Sequence, residues 1–123
     1  MGIIYEAESY KIIGALYEAF RKLGPSVREK DIQACLADLL KEKGFQIKEQ
    51  VPVKLLNNNR TVRTYYLDFL IDDKIVLEIK SGKYNPEYFK QVKTYLKISG
   101  LKLGLLGIFT KNRVIPKRIP NIS

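Results

Sequence analysis

The spacing of hydrophobic residues predicts two helices at the start of the chain. Apolar side chains recur at helical spacing from Glu8 to Leu23, and Gly24-Pro25 ends this run. A second helical pattern begins at Ser26, which has the S-x-x-E spacing of a capping box with Glu29, and it ends before Gly44. We therefore expect two amphipathic helices before the first strand.

From Phe45 the hydrophobic period changes to two, which predicts β-strands. One strand follows Phe45 as far as Leu55, the asparagines 57–59 form a turn, and two further strands span Thr61 to Ile71 and Ile75 to Lys80. We expect the strands Thr61 to Ile71 and Ile75 to Lys80 to form a hairpin. A helix is then predicted from Pro86, a favoured residue at the first helical position, to Ser99.

The end of the chain predicts two more strands. Residues from Leu101 to Phe109 are almost continuously apolar, as in a strand that is buried on both faces. A short strand from Val114 to Ile119 follows, and Pro116 marks it as an edge strand. The resulting order is α-α-β-β-β-α-β-β, which predicts an α/β fold with a mixed β-sheet flanked by helices. We interpret residues 1–123 as one domain.

Three charged residues interrupt the apolar strands of the predicted hairpin: Asp68, Glu78 and Lys80. Ionised side chains rarely lie in such strands unless they are paired, bind a metal or take part in chemistry, because their desolvation is costly. Glu78 and Lys80 share a face. Asp68 joins them only if the turn has an odd number of residues, such as Asp72 to Lys74, or if a β-bulge restores the alignment. The simpler interpretation is an edge hairpin with a cross-strand ion pair.

Charge and residue types limit the partners that the chain can bind and the catalytic and metal-binding groups that it can use. The chain has 22 Lys and Arg against 13 Asp and Glu, a net charge of +9, which favours a polyanionic partner such as nucleic acid or, alternatively, a merely solubilising surface. There is no histidine, so a histidine base and imidazole metal ligands are excluded. Because Cys35 is the single cysteine, an internal disulfide and a cysteine zinc cluster are excluded. Cys35 lies in an apolar helical series, which favours a buried core side chain over a nucleophile.

Two observations bear on location. The sequence has no run of about 18 or more apolar residues, the length that a membrane-spanning helix needs. The first residues are too acidic, and their apolar run is too short, for a secretion signal. We expect a cytoplasmic protein that does not insert into membranes.

Asp68 followed by Glu78-Ile79-Lys80, after a helix that carries Glu29 and before a helix that carries Gln91 to Tyr95, resembles the PD-(D/E)XK nuclease superfamily. The resemblance covers almost the whole chain and implies a restriction-endonuclease-like core. Further blocks are similar to the small stand-alone GxxExxY family within the superfamily: Ile12–Leu16, Leu23–Pro25 and Leu101–Leu106. The naming motif of that family corresponds to Ser26–Ile32, where only Glu29 is retained.

The resemblance implies a Mg²⁺-dependent nuclease, with Mn²⁺ able to substitute, that hydrolyses phosphodiester bonds of DNA with little sequence specificity. Asp68 and Glu78 would hold the metal together with the backbone carbonyl of Ile79. Lys80 would orient the attacking water or help to deprotonate it. Glu29 would bind a second metal or act through a water. The alternative for Glu29 is a purely structural role as a helix-capping residue.

The predicted third helix adds supporting residues. Gln91 and Tyr95 are one helical turn apart, so they share a face that could look into the site. The simpler interpretation is that Tyr95 belongs to the core and Gln91 to the surface. Three lysines would contact phosphates: Lys83, Lys90 and Lys93. The alternative is a solvated lysine-rich face.

Two other functions stay open. The chain could be a non-catalytic nucleic-acid-binding module of the same fold, or a regulatory subunit that acts with a protein partner. Its small size suggests a homodimer, because one subunit offers a limited nucleic-acid footprint. The sequence leaves open whether the substrate is DNA or RNA and what shape it has. It also leaves open whether the chain acts as an endonuclease or an exonuclease.

Overall fold

The predicted order of elements is confirmed in the computed structural model, which describes residues 3–25 and 28–122. The elements are α1 (Glu6–Leu23), α2 (Glu29–Glu42), β1 (Ile47–Asn57), β2 (Arg60–Ile71), β3 (Ile75–Ser81), α3 (Pro86–Ser99), β4 (Leu103–Phe109) and β5 (Val114–Pro120). Ser26, the predicted start of the second helix, lies outside the described residues, and α2 begins at Glu29 with Arg28 at its N-cap. None of the described helices is long and apolar enough to span a membrane.

The strands form one mixed sheet in the order β1-β2-β3-β4-β5. All neighbouring strands are antiparallel except β3 and β4, which are parallel and are connected through α3. Every residue of β4 is buried, as its continuous apolar run predicts. β5 is an edge strand, as Pro116 predicts. Proline has no backbone N–H, and an edge strand tolerates this loss because one of its sides has no neighbouring strand.

Helices cover both faces of the sheet. α1 and α2 pack on one face, where Leu77 and Ile79 of β3 point into the larger apolar cluster. α3 packs on the other face, against a smaller cluster that includes Val76 and Leu106. Because side chains alternate along a strand, Glu78 lies on the α3 side, in line with Val76.

A glycine sets the distance between α3 and the sheet. A Cβ atom added at Gly104 of β4 would lie 2.5 Å from Cγ1 of Val92, so the helix backbone can pack at this distance only against a residue without a side chain. This contact fixes the helix that also carries Gln91 and Tyr95.

The hairpin between β2 and β3 has the odd-residue turn that the alignment of the charged residues requires. Ile71 pairs with Ile75, so the turn consists of residues 72–74. Asp72 and Asp73 adopt φ values of 51° and 55°, in the left-handed region that Asp tolerates better than most residues. Asp68 and Glu78 are consequently brought opposite each other.

The hairpin of β1 and β2 extends far beyond the few residues over which β2 pairs with β3. The two strands pair from Ile47 with Ile71 to Asn57 with Arg60, whereas β2 pairs with β3 only through residues 69–71. Residues 51–67 therefore extend beyond β3 as a two-stranded arm. Leu55 was predicted on the apolar side of an alternating strand, and it is 39% exposed because it lies on this arm.

Candidate active site

The candidate site lies at a fork, where β2 and β3 separate beyond the pair of Phe69 and Leu77. At the fork, two carboxylates accept hydrogen bonds from backbone N–H groups. Glu78 Oε1 accepts from the N–H of Asp68 at 2.8 Å, and Asp68 Oδ2 accepts from the N–H of Ile79 at 2.8 Å. Each acidic side chain thus binds the strand that carries the other, which fixes the two carboxylates next to each other.

The two carboxylates have different environments. Glu78 is 2% exposed, whereas Asp68 is half-buried. Burial, followed by the negative charge of Asp68, raises the pKa of Glu78 to about 8, although the Asp68 backbone and the Lys80 charge act in the opposite direction. A cation at this position would offset the repulsion between the carboxylates.

Lys80 lies between two clefts at the end of the sheet. The α2 cleft is lined by Glu29, Lys30, Gln33, Gln50, Asp68, Ile79 and Lys80. The α3 cleft is lined by Arg63, Tyr65, Lys80, Tyr88, Lys90 and Gln91, among others. Lys80 Nζ lies 5.3 Å from the centroid of the Tyr88 ring, a cation-π contact that holds the half-buried side chain between the two clefts.

Glu29 lies in the α2 cleft, at the first position of α2. Partial burial raises the pKa of its carboxyl, and the Asp68 charge acts in the same direction. The Lys80 charge and a hydrogen bond with the backbone of Ser81 act in the opposite direction. The structure therefore brings Glu29 to the site, where it faces Asp68 and Lys80 from another element.

Tyr95 and Gln91 occupy different positions on the site-facing side of α3. Tyr95 is 3% exposed and belongs to the smaller apolar cluster, which agrees with the core interpretation. Burial, followed by the negative charges of Glu78 and Asp68, raises the pKa of Tyr95 above the usual range of a tyrosine. Gln91 is half-buried and lines the α3 cleft with Lys80.

The three predicted phosphate-contacting lysines are not brought together. Lys90 lines the α3 cleft and forms an exposed ion pair with Glu87 at 3.2 Å. Lys93 lies over the ring of Phe89, 5.4 Å from its centroid, and lines a separate groove beside the end of β5. Lys83 is exposed in the loop after β3. Of the three, Lys90 is the one that the structure places in a cleft with Lys80.

Sequence reasoning missed two glutamines at the site. Gln33 Nε2 donates to the backbone carbonyl of Asp68 at 2.9 Å and to Glu49 Oε1 at 3.2 Å. Its position four residues after Glu29, on the same face of α2, was a signal that could have revealed it. Gln50 has a φ of 51° and lies in the α2 cleft with Asp68. Nothing in the sequence indicates this backbone conformation.

The donor set at the fork fits a hard cation such as Mg²⁺. Mg²⁺ prefers oxygen ligands and is usually held by one or two protein carboxylates together with waters. Asp68 and Glu78 supply two carboxylates, and no group of three or more acidic, cysteine or histidine side chains is arranged for a metal within residues 3–25 and 28–122. The Ile79 carbonyl points into the fork, since a strand residue directs its N–H and carbonyl toward the same neighbour and the N–H binds Asp68.

A mixed sheet covered by three helices, with paired carboxylates and a lysine where two strands separate, defines a nuclease-like α/β protein. Residues 6–119 match the family model of the PD-(D/E)XK nuclease superfamily. The chain belongs to this superfamily, as its sequence predicted. The match does not test membership of the GxxExxY family, which stays a prediction.

Two solved structures have the same fold. The crystal structure of SSO0001 is similar with a TM-score of 0.58 and 21% identity, over 96% of this chain and 60% of that one. The crystal structure of an alkaline exonuclease, LHK-Exo from Laribacter hongkongensis, gives a TM-score of 0.52 and 20% identity, over 69% of this chain and 52% of that one. The chain thus spans about half to three fifths of the length of these structures. A comparison with curated proteins finds no match.

Proposed function

We propose that this chain is a metal-dependent nuclease that hydrolyses phosphodiester bonds, with DNA as substrate and little sequence specificity. The observation that carries the proposal is the fork, where Asp68 and Glu78 lie together beside Lys80. Membership of the PD-(D/E)XK superfamily supports the reaction class. The choice of DNA follows the resemblance to the superfamily.

Asp68, Glu78 and the carbonyl of Ile79 would hold the metal. Mg²⁺ or Mn²⁺ bound there would neutralise charge on the attacked phosphate and on the leaving oxygen. The raised pKa of Glu78 supports this assignment, because a buried carboxylate beside a second carboxylate ionises more easily when a cation is near.

Lys80 and Glu29, which both line the α2 cleft, would act on the attacking water. The Lys80 Nζ group would orient the water oxygen and stabilise negative charge on the phosphate. Glu29 would hold a second metal or orient the water, since its carboxyl faces both Asp68 and Lys80. Gln91 and Tyr95 would support the site from α3.

Phosphate contacts would supply most of the affinity. Lys80 and Lys90 line the α3 cleft together with Arg63, and such cations bind the nucleic-acid backbone without distinguishing bases. Lys83 and Lys93 belong to the proposal only as more distant contacts. A homodimer and a cytoplasmic location also belong to it and rest on the sequence alone.

The test is cleavage of labelled single-stranded, duplex, flapped and four-way-junction DNA with Mg²⁺ or Mn²⁺. We expect Asp68→Asn, Glu78→Gln and Lys80→Ala each to lower the rate at least about 100-fold. Asp38→Asn and Lys41→Ala are matched controls, because both residues are exposed on α2 away from the clefts. Binding in chelator without cleavage of any substrate would replace the nuclease with a binding module.

A further inference from the structure

The two-stranded arm, residues 51–67, has no packing role at its outer end. Its root is anchored, because Val51, Val53, Tyr65 and Leu67 belong to or pack against the apolar cluster under α3. Beyond the root the strands continue to Asn57 and Arg60, and Asn58 and Asn59 turn the chain with φ values of 51° and 62°. From Val51 to Asn57 the arm is about 20 Å long at the usual rise of a strand.

The arm carries charge of one sign. Between residues 51 and 67 the chain has Lys54, Arg60 and Arg63 and no Asp or Glu. Lys54 lies opposite Thr64 and Arg60 opposite Asn57, so neither faces an acidic side chain across the strands. Arg60 and Lys54 are exposed. The arm therefore presents an uncompensated positive surface.

The arm also exposes large apolar side chains. Tyr66 is 56% exposed, Val62 is 61% exposed and Leu56 is 56% exposed. Thr64 and Tyr66 share one face of β2 by alternation, and Lys54 joins this face because it lies opposite Thr64. Val62 is the extra residue of a β-bulge, between the pair of Leu55 with Arg63 and the pair of Leu56 with Thr61. Apolar side chains that alternate with cations on a two-stranded ribbon fit a partner that has anionic groups on its outside and apolar surface within its grooves.

The inner face of the arm is continuous with the α3 cleft. The guanidinium of Arg63 lies 4.7 Å from the centroid of the Tyr65 ring, which meets the Tyr95 ring edge-on at 5.5 Å. Arg63 and Tyr65 line the α3 cleft with Lys80. A polymer that occupies the cleft would thus run directly onto the arm.

We propose that the arm is a duplex-binding element that enters a groove of the nucleic acid beside the bond that is cut. This inference rests on the proposed nuclease function and adds the substrate class, a duplex that continues past the site. A two-stranded ribbon fits the major groove, which is about 12 Å wide. Lys54 and Arg60 contact the flanking phosphates, while Val62 and Tyr66 contact base edges and sugars in the groove.

The test compares the double variant Lys54→Ala/Arg60→Ala with Lys41→Ala/Lys102→Ala. The control also removes two exposed positive charges, but from the end of α2 and the start of β4, away from the arm. Fluorescence anisotropy in chelator measures binding to a 30-base-pair duplex and to a single strand of the same length. Salt titration gives the number of phosphate contacts, about 0.9 unit of slope for each.

We expect the arm variant to bind the duplex about 10-fold more weakly and to lose about two units of salt slope, with a clearly smaller loss on the single strand. The control should keep the wild-type slope. An unchanged slope in the arm variant, or equal losses on duplex and single strand, would overturn the proposal. If light scattering shows that the wild type is a dimer and the arm variant is a monomer, the arm acts in self-association, and this result would overturn the proposal as well.

The apolar contacts have their own readout. Val62→Ser/Tyr66→Ser leaves the charge unchanged, so it should weaken duplex binding without altering the salt slope. Equal binding by this variant and the wild type would overturn the placement of these side chains in a groove. All of these measurements are made without cleavage. A wild-type protein that binds duplex through the arm but cuts nothing would therefore refute the nuclease and the placement beside a cut bond, and would leave only the duplex-binding role of the arm.

Discussion

At the scale of single residues, Glu78 connects the proposed chemistry to the stability of the fold. It is buried next to Asp68, and Asp68, Lys80 and Tyr95 are the ionisable groups that affect it or face it. Its pKa rises from the ordinary value of 4.5 to about 8. A carboxyl with a raised pKa in the folded state holds its proton longer than the unfolded chain does.

Stability of the metal-free protein should therefore fall as the pH rises. The contribution of Glu78 is fully present below pH 4.5 and is lost progressively up to about pH 8, because the unfolded chain ionises first. We expect the Tm in chelator to fall by at least about 3 °C between pH 5 and pH 8. Glu78→Gln should flatten this dependence and raise the Tm at pH 8.

Glu42→Gln, at the exposed end of α2, is the control and should keep the wild-type pH dependence. Parallel curves for Glu78→Gln and the wild type in chelator would contradict the prediction.

Gln33 should act as a positioning residue for Asp68. Its amide donates to the Asp68 carbonyl, so Gln33→Ala frees the backbone that holds one carboxylate. We expect kcat to fall about 10-fold with little change in KM, since the substrate-binding cations are untouched. Steady-state kinetics on a cleaved DNA measure both. Gln46→Ala should leave kcat unchanged, because Gln46 is exposed just before β1 and lies beside Asp72 in the turn after β2, away from the fork.

The acidic pair and the lysine were predictable from sequence because each breaks an apolar strand. Asp68, Glu78 and Lys80 are conspicuous for that reason, and their roles stay a prediction. Gln33 was not found, because it reaches Asp68 across 35 positions of the chain, and its local signal, the position four residues after Glu29, does not reveal that partner. Lys93 was predicted to contact phosphates near the site, but it lines a separate groove, because helical spacing alone does not show which groove a side chain enters.

At the scale of elements, periodicity predicted all eight helices and strands of the described chain. α3 has the predicted limits, because Pro86 begins it after Asn85, whose side chain accepts from the N–H of Glu87, and Gly100 ends it. The length of the arm was not predicted. Hydrophobic alternation indicates that a residue is in a strand, but not whether a third strand continues beside it.

The close contact between α3 and β4 gives a prediction at this scale. Gly104→Ala places a methyl group against Val92, so it should destabilise the fold by about 1–3 kcal/mol. Chemical denaturation monitored by circular dichroism measures the free energy of unfolding. Gly14→Ala in α1 meets no atom within 4 Å and should be neutral or stabilising by up to about 1 kcal/mol. Similar losses for both variants would show that the contact does not limit packing.

At the scale of the whole molecule, metal binding at the fork should stabilise the entire chain. A ligand that binds only the folded state adds about 2.7 kcal/mol at a concentration 100 times its Kd. We expect Mg²⁺ or Mn²⁺ to raise the wild-type Tm at pH 8 and to leave Asp68→Asn almost unaffected. Calorimetry with and without the ion provides the measurement. An equal rise in both proteins would place the ion elsewhere.

The hydrogen bonds at the fork also give the molecule a built-in spectroscopic probe. The amides of Asp68 and Ile79 bind side-chain carboxylates instead of peptide carbonyls. Their ¹⁵N–¹H resonances should therefore respond to the protonation and cation contacts of Glu78 and Asp68, while amides elsewhere in the sheet stay fixed. Two peaks in one spectrum would then report the state of the site in the free protein, before any substrate has been identified.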